Sequence, residues 1–593
     1  MSRLRNRAAG LALALALTTA LALVAATAAT AADGSAAPAP AHGLIVRLKN
    51  APAHEQPDAA LHRRETLRWG GVLRGAALSG MAGQREPLRR AVGRDQHLLD
   101  FGRELPPEEA LRLAERLRRH PDVDWVEPNA REQRLALSND PLSADQWWLM
   151  PVSGSNQNAL AARLRGVPGF LSAWQSGIAG ASGRSSAVVA VLDTGITTHP
   201  DLAGHVLPGY DFVSEALFAN DGDSRDNDPS DPGDWVSAAD LADSRFKSCS
   251  EGGSTWHGTV IAGLVAALTD NGVGVAGINR DGRVLPVRVA GKCGAAVADI
   301  IDGMRWAAGL AVSGAPVNAN PARILNISFG SQNPCNPAYQ SAVDELRTHG
   351  VLVVAAAGNE HGATGRPANC NGVIGVVALN RDGFKSHYSN FGSALTASGI
   401  ATVGGDDSGG GAWAGQLADN GLLSVWNHGS QGPAAASYAY LFGTSFSAPL
   451  VAGTLSLMLS VNPALSTDQL LAGLRASARP HVTSWLIAAC SEANPGRCIC
   501  STQSCGVGIL DVDQAVRFAA NPASYVAPAR QPEVIDSVEL RQAVTKGPDR
   551  PPNPGAEAPR EPAMEGGGAA SFGWVLALVV ACALLISPGP RRA

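Results

Sequence analysis

The chain has 593 residues, more than one ordinary hydrophobic core accommodates, so the sequence predicts two or more folded units. Its net charge of −5 is small for this length, which gives no basis for a nucleic-acid partner or a role on a membrane surface.

Residues 1–32 are typical of a secretory signal peptide. Three arginines precede an apolar run from Ala8 to Ala26, and small residues near Ala29 offer a cleavage site. The twin-arginine pair is missing, so we expect export by the Sec route to the outside of the cell or its surface.

Residues 42–133 are predicted to form a small α+β unit. It opens with the strand-like run at 43–48 (GLIVRL), continues with a helix-like stretch near 106–120 and ends on a second strand-like run at 123–128 (VDWVEP).

Residues 138–525 alternate apolar runs with helix-like stretches. Continuous apolarity, as in 187–192 (AVVAVL) and 351–356 (VLVVAA), is typical of parallel strands that are covered on both faces. We therefore predict a three-layer α/β fold with a mostly parallel sheet and a site at the carboxyl ends of its strands.

The C-terminal part divides into two segments. Residues 526–565 are rich in proline and charge and are expected to be a disordered linker. Residues 566–593 combine three glycines, an apolar run from Phe572 to Ile586 and the terminal pair Arg591 and Arg592.

The cysteines indicate an oxidising compartment. None precedes Cys249, eight lie between Cys249 and Cys505, and the ninth is Cys582. A metal site at Cys498, Cys500 and Cys505 is the alternative, but the spacing lacks paired C-x-x-C elements.

Three motifs place reactive side chains where this architecture predicts a site. A strand that ends at Leu192 leads directly into Asp193, His257 opens a helix, and Ser445 lies at the start of another helix, with Pro449 expected in its first turn. Each motif alone is a common turn or helix start. Together they offer a nucleophile, a base and a carboxylate that orients the base.

The segments 191–196 (VLDTGI), 257–263 (HGTVIAG) and 443–449 (GTSFSAP) resemble the three active-site signatures of the subtilisin-like S8 serine peptidases. The resemblance implies a serine endopeptidase acting on proteins or peptides, with Ser445 as nucleophile, His257 as general base and acid, and Asp193 orienting the imidazole. It further implies that Asn359, in 356–360 (AAGNE), donates to the oxyanion.

The same resemblance implies which residues bind the substrate. Ser328, Phe329 and Gly330 would form the edge strand that pairs with an extended peptide, and Ala357 and Gly358 would lie beside it.

Two departures from the family pattern stand out. Val260 occupies a position where many members carry a second histidine, and we expect it to pack. Residues 218–243 form a long acidic insertion, which could bind calcium, shape the cleft or be a solvated loop.

The resemblance also implies a structural calcium ion. The corresponding family segments match residues around Asp140, around Asp201 and in the loop at 269–275 (TDNGVGV), which gives the expected ligands Asp140, Asp201, Asp270, Asn271, Val273 and Val275. Carboxylates and backbone carbonyls suit this hard cation.

Both ends resemble processed segments. Residues 42–133 are similar to the inhibitory propeptides of the family, so the chain would be a self-processing precursor. Apart from this contact with its own propeptide, we expect the protein to be a monomer. Residues 566–593 are similar to GlyGly-type sorting segments, which a rhomboid-type protease is thought to cut after transient membrane anchoring. A permanent tail anchor is the alternative.

For the disulfides we propose Cys249–Cys293 and Cys335–Cys370, because each pair would join loops on the cleft side of the sheet. Two short links would then lie among Cys490, Cys498, Cys500 and Cys505.

Three other functions fit the sequence less well. An aspartic peptidase needs two Asp-Thr-Gly motifs, and the sequence has one. An α/β-hydrolase esterase needs Gly-x-Ser-x-Gly, which 443–447 does not match. A pseudoprotease adhesin is disfavoured because all four catalytic side chains are present.

Overall fold

The computed structural model of the chain describes most residues from 41 to 547: 41–50, 59–75, 87–92, 95–103, 105–130, 138–152, 164–179, 187–406, 413, 417 and 419–547. The predicted signal at 1–32, the C-terminal segment at 566–593 and linker residues 548–565 lie outside this range. The chain divides into two units, Met1–Ala136 and Leu137–Ala593.

The first unit is an antiparallel sheet with two helices. Its strands are β1 (Ala41–Leu48), β2 (Leu88–Val92), β3 (Gln96–Asp100) and β4 (Val123–Ala130), in the spatial order β2-β3-β1-β4, and its helices are α1 (Ala59–Gly75) and α2 (Pro107–Arg118). Leu44, Trp69 and Leu117 share its buried core. The α+β prediction for this region is therefore confirmed.

The second unit is built on a seven-stranded parallel sheet in the order β13-β12-β11-β10-β5-β7-β6. The strands and two short antiparallel pairs are β5 (Val188–Asp193), β6 (Tyr210–Asp211), β7 (Arg283–Arg288), β8 (Ala290–Gly291), β9 (Gly294–Ala295), β10 (Ile324–Ile327), β11 (Leu352–Ala356), β12 (Ile374–Leu379), β13 (Ile400–Val403), β14 (Leu422–Asn427) and β15 (Ala436–Leu441).

Nine helices of the described residues accompany these strands. They are α3 (Phe170–Gln175), α4 (Ala216–Ala219), α5 (His257–Ala266), α6 (Val297–Ala307), α7 (Pro337–Thr348), α8 (Thr444–Val461), α9 (Thr467–Ser477), α10 (Val512–Ala520) and α11 (Val538–Val544). Side chains cap several of them: Asn336 accepts the amide of Tyr339, and Ser466 forms a capping box with Gln469.

Successive side chains of each central strand enter different cores. Val189 and Val191 of β5 pack with α5, α8 and α10, whereas Ala190 and Leu192 pack with α6 and α7 on the opposite face. The continuous apolar runs are thus buried on both sides, and the predicted three-layer α/β fold is confirmed.

The strand order reverses direction between β5 and β10. From β5 the chain adds β7 and β6 on one side, and β10 to β13 follow on the other. Ligands of such sheets bind outside the carboxyl ends of the strands at this switch point. Asp193 ends β5 and Ser328 directly follows β10, so the switch point lies at the predicted site.

The expectation of a disordered linker is wrong for residues 526–547. Ile535, Leu540 and Ala543 are buried in a core that other segments of the second unit supply. Glu533 pairs with Arg165, and the Ile535 amide donates to the Thr483 carbonyl at 2.7 Å. The segment has too few apolar residues to build a core alone, but its three buried apolar side chains complete a core that the rest of the second unit supplies.

One described helix, α8, is long and apolar enough to cross a membrane, but 89% of its apolar window is buried inside the fold. Its place in the central core accounts for that composition.

Candidate active site

Asp193 and His257 form a hydrogen-bonded pair at the switch point. Asp193 ends β5 with a side chain that is 1% exposed, and its Oδ1 lies 2.8 Å from Nδ1 of His257, which is 22% exposed. This contact fixes the imidazole so that Nε2 is the nitrogen left for proton transfer. The buried carboxylate and the partly exposed ring match an orienting group and a base.

His257 begins α5 directly after a strained residue. Trp256 adopts the left-handed conformation (φ 49°), is fully buried and donates from Nε1 to the Gly429 carbonyl at 2.7 Å. Non-glycine residues adopt this conformation at a cost of about 1–3 kcal/mol, which the surrounding packing must offset. The buried indole thereby sets the direction in which the helix presents His257.

Ser445 lies in the first turn of α8 and exchanges hydrogen bonds with Ser328. Pro449 is in the second turn rather than the predicted first, so it lacks the amide that would bond to the Ser445 carbonyl. That carbonyl instead accepts from Ser328 Oγ at 2.8 Å, and Ser445 Oγ donates to the Ser328 carbonyl at 2.7 Å. The proline therefore leaves room for β10 to dock against the helix start.

A nucleophilic role requires Ser445 to exchange its bond to Ser328 for one to the imidazole. Hydrogen bonds of free enzymes commonly tighten or realign when substrate binds. The ring of Phe446, 5.6 Å from that of His257, packs between the two elements that carry the serine and the histidine.

Asn359 follows β11 and is oriented by α8. Its Oδ1 accepts from both the amide and the hydroxyl of Thr444, each at 2.9 Å. With the oxygen engaged, Nδ2 is the end of the side chain available to an anion. The preceding Gly358 has φ 106°, and a Cβ there would lie 2.3 Å from Asn390 Nδ2, so a glycine is required.

All nine residues predicted for catalysis and substrate binding line one cavity of about 460 Å³: Asp193, His257, Ser328, Phe329, Gly330, Ala357, Gly358, Asn359 and Ser445. The strands that deliver them are neighbours in the sheet although the residues span more than 250 positions of sequence.

The residues expected to bind calcium gather elsewhere in the second unit. Asp201 is fully buried and accepts from the Val275 amide (2.8 Å) and the Asn271 side chain (2.9 Å). Asp140 accepts the backbone amides of Asp270, Asn271 and Gly272 at 2.9–3.1 Å.

This arrangement fits a calcium ion chemically. Burial is the main reason why the pKa of Asp201 is raised, and the negative charge of Asp140 adds to it. Two close carboxylates with the side-chain oxygen of Asn271 in the adjoining loop are oxygen donors of the kind that suits Ca²⁺. The Val273 amide donates to Asn271 Oδ1 at 2.8 Å, which shapes the loop.

Sequence reasoning missed two carboxylates of the acidic insertion. Asp234 lines the cavity, and Asp231 accepts from the Thr194 hydroxyl at 2.6 Å next to Asp193. The Thr194 hydroxyl also accepts the amide of Gly258, so Asp231 is linked to the start of α5. The acidic composition of residues 218–243 was a signal, but it could not tell which of its aspartates face the cleft.

The electrostatic state of Asp231 differs from that of an ordinary aspartate. Burial raises its pKa to about 7, the Thr194 hydroxyl opposes this rise, and the charge of Asp234 adds to it. The insertion therefore places a carboxyl with a pKa of about 7 next to the hydrogen-bonded pair of Asp193 and His257.

Four disulfides link the described cysteines: Cys249–Cys293, Cys335–Cys370, Cys490–Cys498 and Cys500–Cys505. The proposed pairs are confirmed, and the last four cysteines form two short links rather than a metal site. Cys293 lines the cavity, so the disulfide Cys249–Cys293 attaches the segment that follows the acidic insertion to the wall of the cleft.

Comparison with known proteins supports this description. Residues 184–506 match the family model described as the Subtilase family, Peptidase_S8. An extracellular protease of Xanthomonas campestris pv. campestris is 37% identical over 439 residues, which are 73% of this chain and 65% of that protein. An extracellular basic protease of Dichelobacter nodosus is 37% identical over 355 residues, 60% of this chain and 53% of that protein.

The chain thus covers less than two thirds of the length of these two relatives. Subtilisin Savinase of Lederbergia lenta is covered over 91% of its length at 30% identity. Among solved structures, a protease from Pseudoalteromonas arctica is 39% identical, with a TM-score of 0.53. That alignment covers 65% of this chain and 100% of the other.

Proposed function

The chain belongs to the subtilase family of peptidases, and on this premise we propose that it is an extracellular serine endopeptidase with Asp193, His257 and Ser445 as its catalytic residues. The observation that supports this most directly is the 2.8 Å contact between Asp193 and His257 in the cavity that Ser445 also lines.

In the proposed reaction, Ser445 Oγ attacks the scissile carbonyl carbon while Nε2 of His257 takes the hydroxyl proton. Asp193 stabilises the resulting imidazolium through Nδ1. The oxyanion accepts hydrogen bonds from Asn359 Nδ2 and from the backbone amide of Ser445 at the start of α8.

Collapse of this intermediate breaks the C–N bond, and the leaving amine takes the proton from His257. The acyl group remains as an ester on Ser445. A water molecule then attacks the ester carbonyl, again giving its proton to His257, and the acid product leaves as Ser445 recovers its hydrogen.

The substrate would bind as an extended strand. Ser328–Gly330 follows β10 and lines the cleft, so its backbone can pair with a peptide as an added strand. Ala357 and Gly358 lie on the wall beside Asn359, where small side chains leave room for the substrate.

We expect a fluorophosphonate probe to label the wild-type enzyme at Ser445. The Ser445→Ala variant should neither be labelled nor hydrolyse peptides, whereas Ser447→Ala, two residues further along α8, should still be labelled. Peptide mapping of the labelled protein gives the site. Labelling of Ser445→Ala at wild-type level, or inhibition by pepstatin, would contradict this assignment.

We further propose that residues 42–133 are an inhibitory propeptide that the enzyme removes itself. The four-stranded unit that these residues form supports a separately folded precursor segment. N-terminal sequencing should find the mature end between about Asn129 and Asn139 in wild type and an unprocessed chain in Ser445→Ala. A normally matured Ser445→Ala protein, expressed alone, would refute self-cleavage.

The relatives named as extracellular proteases support export of this chain. The signal at 1–32 and the sorting segment at 566–593 remain sequence-based proposals, as does cleavage by a rhomboid-type protease. We also propose that the protein acts as a monomer.

We propose that Asp140, Asp201 and the loop at 270–275 hold one structural calcium ion. When bound, it would tie the N-terminal end of the second unit to this loop.

A further inference from the structure

The wall of the cleft on the side of His257 carries an acidic group supplied by the insertion. Asp234 lines the cavity together with Thr194, Thr255, Gly291 and Cys293, and we call this set the acidic subsite. Residues 218–243 form the long acidic insertion, and the fold brings the carboxylate of Asp234 into the cleft.

The Asp234 carboxylate is held in a defined orientation by one neighbour. The Thr255 amide donates to Oδ1 at 2.6 Å, and the Thr255 hydroxyl donates to Oδ2 at 2.7 Å. Thr255 is two residues before His257, so the carboxylate is anchored to the segment that carries the base. Each carboxylate oxygen has lone pairs for a second donor, which a ligand can supply.

Within the described part of the chain, no cation pairs with Asp234. Lys292, on the same side of the cleft, instead contacts both oxygens of Asp240 at 3.0 Å and lies 3.9 Å from the centre of the Trp235 ring. The half-buried Asp234 therefore presents a negative charge to the cavity that the protein does not compensate by an ion pair.

Asp231 lies behind this carboxylate in the buried part of the insertion. Its 2% exposure and its bonds to Thr194 and the Gly233 amide keep it out of the cleft. Burial and the nearby charge of Asp234 disfavour the charged form of Asp231. Asp234 is therefore the carboxylate of this pair that a substrate can reach.

The geometry of an extended substrate determines which side chain meets this wall. Neighbouring side chains of an extended chain point to opposite sides. In the proposed reaction the scissile carbonyl lies between Ser445 and Asn359, and all of these residues line the same cavity as Asp234. When the residue that carries the carbonyl points towards Gly358, next to Asn359, the residue immediately before it points the other way, towards the segment of Thr255 and His257 to which Asp234 is anchored.

We propose that Asp234 makes the acidic subsite select a lysine or arginine immediately before the residue that carries the scissile carbonyl. The ammonium or guanidinium group would donate to the remaining lone pairs of the carboxylate, in a cleft where partial desolvation strengthens the attraction. The inference rests on the proposed peptidase function and adds a substrate class to it.

The test uses the full-length, matured enzyme and a panel of fluorogenic peptides of one sequence. Lysine, norleucine or glutamate is placed in turn at the residue that carries the scissile carbonyl and at each of the two residues before it. The middle position of the three is the residue immediately before the one that carries the scissile carbonyl. For the wild type, we expect kcat/KM at this position to be about tenfold higher for lysine than for its neutral isostere norleucine. This advantage should decrease as the salt concentration rises.

Asp234→Asn should abolish the lysine advantage at the middle position, measured as the ratio of kcat/KM for the lysine peptide to kcat/KM for the norleucine peptide. Asp223→Asn, at an exposed aspartate of the same insertion, should leave the advantage unchanged. A wild type that prefers norleucine at this position overturns the proposal whether or not the variant folds. So does an Asp234→Asn enzyme that keeps the advantage.

The same measurements separate the two levels of inference. Efficient hydrolysis without any preference for lysine refutes the acidic subsite and leaves the peptidase function standing. A wild type that cleaves no peptide of the panel and does not react with the fluorophosphonate probe refutes the peptidase function itself.

Discussion

At the scale of single residues, Asn359 shows how one side chain can be divided between two tasks. Its oxygen is held by the amide and the hydroxyl of Thr444, so the nitrogen is the end that would serve the proposed oxyanion role. Because an oxyanion donor must be in place before charge develops, this fixation would contribute to its effect.

We predict that Asn359→Asp lowers kcat about 10²–10³-fold with little change in KM, the magnitude known for removal of the corresponding asparagine in a subtilisin. The aspartate can still accept from Thr444 but offers no N–H to the oxyanion. Steady-state kinetics with a peptide substrate measure the change. Thr444→Val, which keeps the Asn359 amide, should lose far less, and equal losses in both variants would contradict the role of Nδ2.

Asp231 allows a prediction about pH. Because its pKa in the folded protein is about 7, well above the unfolded value of 3.8, the folded state holds its proton more tightly. Its contribution to stability is therefore present at low pH and is lost as the pH rises towards 7.

Between pH 5 and pH 8 this group should lower the free energy of unfolding by about 2–3 kcal/mol. Asp231→Asn removes the titration, so its stability should fall less over the same interval. Denaturant unfolding of both proteins, inactivated with fluorophosphonate to prevent autolysis, measures the difference. Parallel pH profiles of the two proteins would show that Asp231 titrates normally.

At the scale of elements, the segment 526–547 shows how a polar sequence can be ordered by its surroundings. Ser537 caps α11, and Leu540 and Ala543 are buried against the core that contains Phe384 and Ile509. Arg530 pairs with Asp511 at 2.6 Å, which attaches the segment to the cap of α10.

If this packing stabilises the second unit, Leu540→Ala should lower its free energy of unfolding by about 2–5 kcal/mol, as for other buried leucines. Val538→Ala in the same helix is the control, because Val538 is 52% exposed and should change stability little. Thermal and denaturant unfolding of the inactivated proteins report the effect. Similar, small losses in both variants would mean that α11 does not contribute to the core.

At the scale of the whole molecule, we predict that chelation of calcium lowers the Tm of the mature enzyme. A ligand that binds only the folded state stabilises it by mass action, by about 2.7 kcal/mol at one hundred times its Kd. We expect a decrease of the order of 5 °C in differential scanning calorimetry.

The matched control is Asp201→Asn, which should melt at the same temperature with and without chelator. Overlapping wild-type curves in calcium and in chelator would reject the site formed by Asp140, Asp201 and the loop at 270–275. A calcium-dependent Tm that persists in Asp201→Asn would place the ion elsewhere.

The sequence by itself determined the architecture and the candidate catalytic set. Strands such as β5 and β11 are recognisable because burial on both faces demands an unbroken apolar run, which is a local property. The motifs around Asp193, His257 and Ser445 are also local, since each needs a strand end or a helix start within a few residues. The pairs Cys249–Cys293 and Cys335–Cys370 could be predicted because each joins loops on the cleft side of the sheet, whereas the pairing of the last four cysteines stayed open.

Only the tertiary structure decided what depends on contacts between distant segments. The reciprocal bonds of Ser328 and Ser445 join residues 117 positions apart, and Asp234 meets the cleft through Thr255. Composition marked residues 218–243 as acidic and 526–547 as polar, but neither property specifies a neighbour. Which aspartate faces the cleft, and which polar segment is ordered, depends on the surface that the rest of the fold presents.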